Sequence, residues 1–84
     1  MYPHNFLRRY RRAMGLTQPQ VARVLGLKSS ASVSRWESGK MIPGPGRLLE
    51  LSVLYARLVN DLLRPDYLAA RERIDARLRE LHLR

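Results

Sequence analysis

The side chains with the greatest capacity for chemistry in this sequence are basic and hydroxyl groups between positions 28 and 40. The stretch contains Lys28, Arg35 and Lys40 together with five serines. Ammonium, guanidinium and hydroxyl groups donate hydrogen bonds to phosphate oxygens, and the planar guanidinium fork also fits pairs of acceptors on a base edge. The stretch therefore indicates hydrogen bonding to an anionic partner.

Residues that support catalysis or metal binding are scarce. The 84-residue chain has no Cys, and its two His residues, His4 and His82, lie near opposite ends. Nucleophilic or acid–base catalysis needs His, Cys or paired carboxylates that converge on one cleft. The acidic residues fall mostly in the C-terminal segment at helix-surface spacing. We therefore expect a protein that is not an enzyme and that uses neither a metal ion nor another cofactor.

The charge of the chain favours a polyanionic partner. Sixteen Lys and Arg residues against seven Asp and Glu residues give a net charge of +9. Residues 1–16 carry +4, residues 17–63 carry +3 and residues 64–84 carry +2, so the excess decreases towards the C-terminus. Because this charge alone also fits RNA or an anionic membrane surface, the class of partner has to come from the motifs.

Two short helices joined by a glycine turn are predicted in the middle of the chain. Thr17 is placed to cap the first helix, and Pro19 lies in its first turn, where a missing N–H is harmless. Gly26 ends this helix, and a second helix is expected over residues 30–38, closed by Gly39. Such a pair is how small domains place a helix in a DNA groove. The apolar side of the first helix is predicted to contain Val21, Ala22, Val24 and Leu25.

Further helices are predicted on both sides of this pair. Apolar residues at spacings of three and four predict a helix over residues 5–14. The Pro- and Gly-rich residues 41–46 predict a loop, which is followed by two apolar helices. Pro65 is expected to interrupt the chain before a long amphipathic helix over residues 67–83.

The length and apolar content allow one domain with an appendage. A chain of 84 residues that is 45% apolar can build one modest core of packed helices. We expect a domain over residues 1–63 and a separate C-terminal helix within residues 64–84. The sequence has no apolar run long enough to span a membrane and no signal-peptide pattern at its start, which predicts a cytoplasmic protein that is not associated with a membrane.

The helix pair and its flanks contain a spaced set of motif residues, which are Leu16-Thr17-Gln18, Ala22, Leu25-Gly26, the run from Ser34 to Lys40 that contains Trp36-Glu37, and Pro43. With these residues the chain resembles the Cro/CI (Xre) family of helix-turn-helix regulators. The resemblance covers about residues 5–63. The resemblance implies an all-α, five-helix lambda-repressor-like domain, here with an additional C-terminal helix. It also implies sequence-specific binding to double-stranded DNA, most often by a repressor.

The resemblance also implies which residues contact DNA. Six residues separate Gly26 from Val33 where the family more often has five, so the turn is expected to be one residue longer. The base-reading positions then correspond to Ser30, Ala31, Ser34 and Arg35, of which Arg35 is the best candidate because its fork fits guanine O6 and N7. A phosphate contact by Arg35 is the alternative. The expected phosphate-binding residues are Gln18, Lys28, Ser29, Ser32, Lys40 and Arg47, with solvated roles as the alternative for Gln18 and Arg47.

Three other motif residues are predicted to be structural. Trp36 follows Val33 by three residues, so it shares the buried face of its helix and is expected to be a core anchor. Glu37 is the only acid between Leu16 and Glu50, and the resemblance pairs it with Arg11 on the first helix. The other arginines of that helix, Arg8, Arg9 and Arg12, are assigned to the general electrostatic field and to solubility.

The C-terminal helix is expected to hold two copies together. Tyr67, Ile74, Leu78 and Leu81 follow one another at spacings of seven, four and three, which is typical of a narrow coiled-coil seam of about two heptads. A homodimer matches a palindromic operator. The alternatives are a helix packed on its own core and family-wide dimerisation through the fourth and fifth helices. A second functional hypothesis is an antitoxin-type protein whose C-terminal helix binds a partner protein while the helix-turn-helix autoregulates its operon.

Overall fold

The computed structural model describes residues 5–83, which form six α-helices and no strand. The helices are α1 (Leu7–Ala13), α2 (Gln18–Val24), α3 (Ala31–Glu37), α4 (Pro45–Tyr55), α5 (Val59–Leu62) and α6 (Arg64–Glu80). The all-α prediction of a five-helix domain with an additional C-terminal helix is confirmed.

Local signals start and end α2 and α3 at the predicted places. The hydroxyl of Thr17 accepts a hydrogen bond from the Gln20 backbone N–H at 3.2 Å, and the Gln20 side-chain oxygen accepts one from the Thr17 N–H at 2.9 Å. This reciprocal capping box satisfies donors that the first helical turn leaves unpaired. Gly26 and Gly39 follow the two helices with φ angles of 74° and 79°. Both need the left-handed conformation that glycine adopts without steric cost.

The turn between α2 and α3 comprises residues 25–30. Ser30 is the N-cap of α3, and the hydroxyl oxygen of Ser29 accepts a hydrogen bond from the Ala31 N–H at 3.3 Å. The first helical hydrogen bond joins the Ser34 N–H to the Ser30 carbonyl at 2.9 Å. The helix α3 then begins at Ala31, and Val33 lies on its buried side.

One apolar core is shared by the first five helices. Val24 was expected in this core but is 62% exposed. The buried stripe of α2 is formed by Val21, Ala22 and Leu25, and Val24 lies roughly 100° around the helix from the middle of that stripe. The buried apolar residues are Leu7, Val21, Ala22, Leu25, Val33, Trp36, Leu51, Tyr55 and Leu62.

The boundaries of two other helices differ from the prediction. The first helix begins at Leu7 and not at Asn5, because the Asn5 side-chain oxygen accepts a hydrogen bond from the Leu7 N–H at 3.0 Å and so caps the helix from outside. The helix α4 begins at Pro45, inside the expected loop. Proline is well suited to the first helical position, where its missing N–H has no partner to lose.

The last helix, α6, has no buried residue. It begins at Arg64, with Pro65 in its first turn, so Pro65 does not interrupt the helix as expected. It ends at Glu80, earlier than predicted. Nine of its seventeen residues are charged, which makes its amphipathic character weaker than the sequence analysis indicates. The alternative in which this helix packs on its own core is not observed in the part of the chain that the structure describes.

Candidate nucleic-acid interface

The helix α3 has one buried side and one exposed side. Val33, Trp36 and Glu37 are buried, whereas Ala31, Ser34 and Arg35 are exposed. Residues three and four apart lie on the same face of a helix, so the three exposed residues form one continuous strip. Three of the four expected base-reading residues therefore share an exposed face. The fourth, Ser30, is half-buried at the N-cap.

The backbone carbonyl of Arg35 is held by hydrogen bonds, whereas its side chain is available to a ligand. Its carbonyl oxygen accepts hydrogen bonds from the N–H groups of Lys40 at 3.0 Å and Met41 at 3.2 Å, and from the Ser38 hydroxyl at 3.1 Å. Its guanidinium makes no hydrogen bond or ion pair with any residue in the range 5–83. The group is thus available to a ligand while the helix end that carries it is held in place.

Three of the expected phosphate contacts lie at the two ends of α3. Lys28 and Ser29 are exposed before the helix, Lys40 is exposed after it, and Ser32 is half-buried within it. The Ser29 hydroxyl oxygen accepts the Ala31 N–H, and its hydroxyl hydrogen remains available as a donor. Hydrogen-bond donors therefore border the exposed strip on both sides.

A buried carboxylate joins the first helix to α3. Arg11 donates from Nε to Glu37 Oε2 at 2.6 Å and from Nη2 to Oε1 at 3.0 Å. Its third nitrogen, Nη1, donates to the Leu16 carbonyl at 2.9 Å. The contact that the resemblance implies between Arg11 and Glu37 is present, in the bidentate geometry that gives strong charge-assisted hydrogen bonds.

Two further side chains reach the same carboxylate oxygen. The Gln18 side-chain nitrogen Nε2 donates to Glu37 Oε1 at 3.0 Å, and Arg8 Nε approaches that oxygen at 3.5 Å. Gln18 was expected at a phosphate and Arg8 was assigned to the general field, so neither contact was predicted. The signal in the sequence was that Glu37 is a single acid among basic residues. A single carboxylate in such a region attracts the hydrogen-bond donors that lie near it.

The charges of this cluster are reflected in its pKa values. Burial by itself raises the pKa of Glu37, but hydrogen bonds from Arg11 and Gln18 and the positive charge of Arg11 lower it below its ordinary value. The hydrogen bonding of Arg11 to the Glu37 carboxylate, which accepts it, is the largest cause that raises the pKa of Arg11. Burial, with a contribution from the negative charge of Glu37, raises the pKa of Tyr55 to about 12. Glu37 and Arg11 therefore form a charged pair at neutral pH.

Comparison with protein-family models decides the class of this chain. A model described as a helix-turn-helix matches residues 7–58, which is more than half of the chain. The chain belongs to the Cro/CI (Xre) family of helix-turn-helix proteins. This Cro/CI-type protein is a DNA-binding helix-turn-helix regulator. Comparisons with individual curated proteins and with solved structures found no match.

The family match includes α1 to α4 of this Cro/CI-type protein and ends before α5. Within residues 5–83, no three His, Asp or Glu side chains lie close enough together to hold a metal ion. No helix in this described part is long and apolar enough to cross a membrane. Because the family match ends before α5, it carries no information on α6.

Arg47 of the Cro/CI-type protein has internal partners. Its Nη1 atom donates to the Leu25 carbonyl at 2.8 Å and to Glu50 Oε1 at 2.8 Å. The first contact connects α4 to the end of α2, where the carbonyl would otherwise lack a helical partner. This structural contact was not predicted, although the spacing of three between Arg47 and Glu50 signals an ion pair on a helix.

Asn5 provides a second link that the sequence analysis missed. Its side-chain nitrogen donates to the Trp36 carbonyl at 2.8 Å, while its oxygen accepts the Leu7 N–H. The residue is buried, so both hydrogen bonds are shielded from water. They fix the start of α1 against the end of α3. The signal was an Asn two residues before the first helical residue, Leu7, because Asn favours caps over helix interiors.

Proposed function

We propose that this Cro/CI-type regulator recognises a specific double-stranded DNA sequence by placing α3 in the major groove. The observation that carries the proposal is the exposed strip of Ala31, Ser34 and Arg35 on a helix whose other side is anchored by Val33 and Trp36. The major groove of B-DNA admits an α-helix. Arg35 bonds guanine there, and the protein represses by occupying its operator.

The residues around α3 supply the proposed phosphate contacts. Such contacts set the register of a protein on the duplex and carry no sequence information themselves. Lys28, Ser29 and Lys40 are exposed in suitable places. Gln18, Ser32 and Arg47 complete the proposed set, although Gln18 and Arg47 already donate to internal oxygens. Their share of the binding energy is consequently expected to be smaller than that of the two lysines.

Selection from a pool of random duplex DNA tests the proposed function. The purified protein is used at about 0.15 M salt, where binding to phosphates alone is already weakened. We expect enrichment of an inverted repeat whose half-sites lie about one helical turn apart, as a two-fold symmetric protein requires. Retained salt-sensitive binding without any enriched sequence would contradict sequence-specific recognition.

We further propose that residues 1–63 form the DNA-binding domain and that residues 64–84 hold two copies together. The support comes from α6, which buries none of its residues within one chain. Tyr67, Ile74 and Leu81 are exposed, and Leu78 is half-buried. Neighbouring apolar side chains left in water are typical of a surface that another protein covers. A two-fold dimer is the simplest such arrangement.

Replacing Ile74 with Glu is expected to dissociate the homodimer. Ile74 is 59% exposed on α6, and Val53, at 82% exposed on α4, provides a matched control with the same substitution. Light scattering of the full chain should change from twice 9.8 kDa to 9.8 kDa for Ile74→Glu and stay unchanged for Val53→Glu. The reverse pattern would assign the interface to α4 and contradict dimerisation through α6.

The same exposed helix favours a second candidate function. In an antitoxin-type protein, the apolar residues of α6 bind a different protein while the helix-turn-helix regulates the operon that encodes both. Co-expression with the product of a neighbouring toxin-like reading frame tests this candidate. Co-purification with the unaltered chain but not with Ile74→Glu would support it, and equal co-purification with both would contradict it.

A further inference from the structure

We infer that Arg8 of α1 contacts a DNA phosphate next to Gln18, in addition to the residues that the helix-turn-helix itself supplies. The inference rests on the proposed function, because it requires a duplex against α3 and the beginning of α2. Its geometric basis is Glu37 Oε1, which Arg8 Nε approaches at 3.5 Å and to which Gln18 Nε2 donates at 3.0 Å. The two side chains meet at one atom, so a DNA strand that lies along Gln18 also passes Arg8.

The charges of the cluster leave Arg8 able to bind an anion. Glu37 has one negative charge, and Arg11 takes both of its oxygens, at 2.6 Å and 3.0 Å. Arg8 reaches only one oxygen, through Nε, and its side chain is 44% exposed. One positive charge therefore remains uncompensated. The two terminal nitrogens of Arg8 have no hydrogen-bond partner among residues 5–83, and a phosphate oxygen is the acceptor that suits them.

The neighbouring arginines of α1 lie elsewhere. Consecutive residues of a helix differ in direction by about 100°. The guanidinium of Arg9 lies 5.5 Å from the centre of the Phe6 ring. Arg12, one turn after Arg8, makes no hydrogen bond or ion pair with either Gln18 or Glu37. Glu37 thus positions Arg8 alone among the exposed arginines of this helix, and Arg9 becomes its matched control.

The test compares Arg8→Ala, Arg8→Lys and Arg9→Ala in the full chain, using the selected operator and an unrelated duplex of equal length. Arg8→Ala should weaken binding to both duplexes about tenfold, as expected when one charge-assisted hydrogen bond is lost. It should also reduce the slope of log K against log salt concentration by about 0.9, the value for one phosphate contact. Both Arg8→Lys and Arg9→Ala should have the same slope as the unaltered chain. Melting temperatures verify that all variants are folded.

Each other outcome overturns the inference. Equal slopes for Arg8→Ala and Arg9→Ala would show that Arg8 acts only through the general field of the protein. A loss by Arg8→Ala confined to one base pair of the operator would show that Arg8 reads a base. Failure of the unaltered protein to bind either duplex in a salt-dependent way would contradict the proposed function, and the Arg8 contact with it. If the unaltered protein binds, failure of the Arg8 prediction leaves the proposed function standing.

Discussion

Replacing Glu37 with Gln is expected to lower the free energy of unfolding by about 3–5 kcal/mol, because Arg11 then remains charged and buried without its carboxylate. The Glu37 side chain is 1% exposed and accepts both hydrogen bonds from Arg11. For a domain of this size, each kcal/mol corresponds to about 4–8 °C. The melting temperature should therefore fall by at least about 12 °C, as measured by thermal unfolding at neutral pH.

Glu50→Gln is the matched control for this prediction. It makes the same chemical change in a carboxylate that pairs with Arg47 at 2.8 Å on the surface of α4. Exposed pairs contribute about 0–1 kcal/mol, since water solvates both charges when the pair is broken. The two variants should therefore differ clearly in melting temperature. If they melt together, the pair between Arg11 and Glu37 does not stabilise the fold.

Acid should remove the stabilisation by Glu37. The pKa of Glu37 in the folded protein is lowered, whereas an unperturbed Glu has a pKa of about 4.3. The contribution of Glu37 to stability is thus complete above about pH 4.3, the pKa in the unfolded chain. It is lost as the pH falls through the lower pKa that Glu37 has in the folded protein. The difference in stability between the unaltered protein and Glu37→Gln should shrink over that range. Denaturant unfolding at a series of pH values measures this change.

The elements around the candidate interface were predictable where local chemistry determines them. The cap at Thr17 and the stops at Gly26 and Gly39 depend on backbone groups within a few residues, so the sequence alone predicts them. The start of α6 was predicted wrongly, because proline is compatible both with a break and with a first helical turn. Pro65 occupies the first turn. Whether a proline breaks the chain or lies in a first helical turn depends on packing between neighbouring helices. The few residues around the proline do not specify that packing.

The cluster at Glu37 was predictable only in part for the same reason. The resemblance supplies the contact with Arg11. The convergence of Arg8 and Gln18 on Glu37 Oε1 depends on how α1, α2 and α3 cross, and the spacing of residues along one helix does not specify that angle. Only the structure shows that an arginine assigned to the general field lies beside a proposed phosphate contact.

Replacing Arg35 with Ala is expected to abolish the preference for one base pair in each half-site. A bidentate contact between arginine and guanine contributes about 1–3 kcal/mol of discrimination, which corresponds to roughly 5- to 140-fold in relative affinity. The exposed guanidinium of Arg35 has no partner in the described part of the chain, so it is available for this contact. Competition between the operator and duplexes altered at each position measures the preference before and after the substitution.

Lys40→Ala provides the comparison that separates base reading from phosphate binding. Both substitutions remove one positive charge beside α3, but a lost phosphate contact weakens binding about equally for every sequence and reduces the salt slope by about 1. The carbonyl of Arg35 holds the end of α3 through the N–H groups of Lys40 and Met41, and an Ala at position 35 keeps that carbonyl. A change in base preference is then attributable to the lost guanidinium. If Arg35→Ala instead weakens binding equally for every sequence, as expected for Lys40→Ala, Arg35 contacts the phosphate backbone. Base reading would then fall to Ser34, Ala31 and the shape of the DNA.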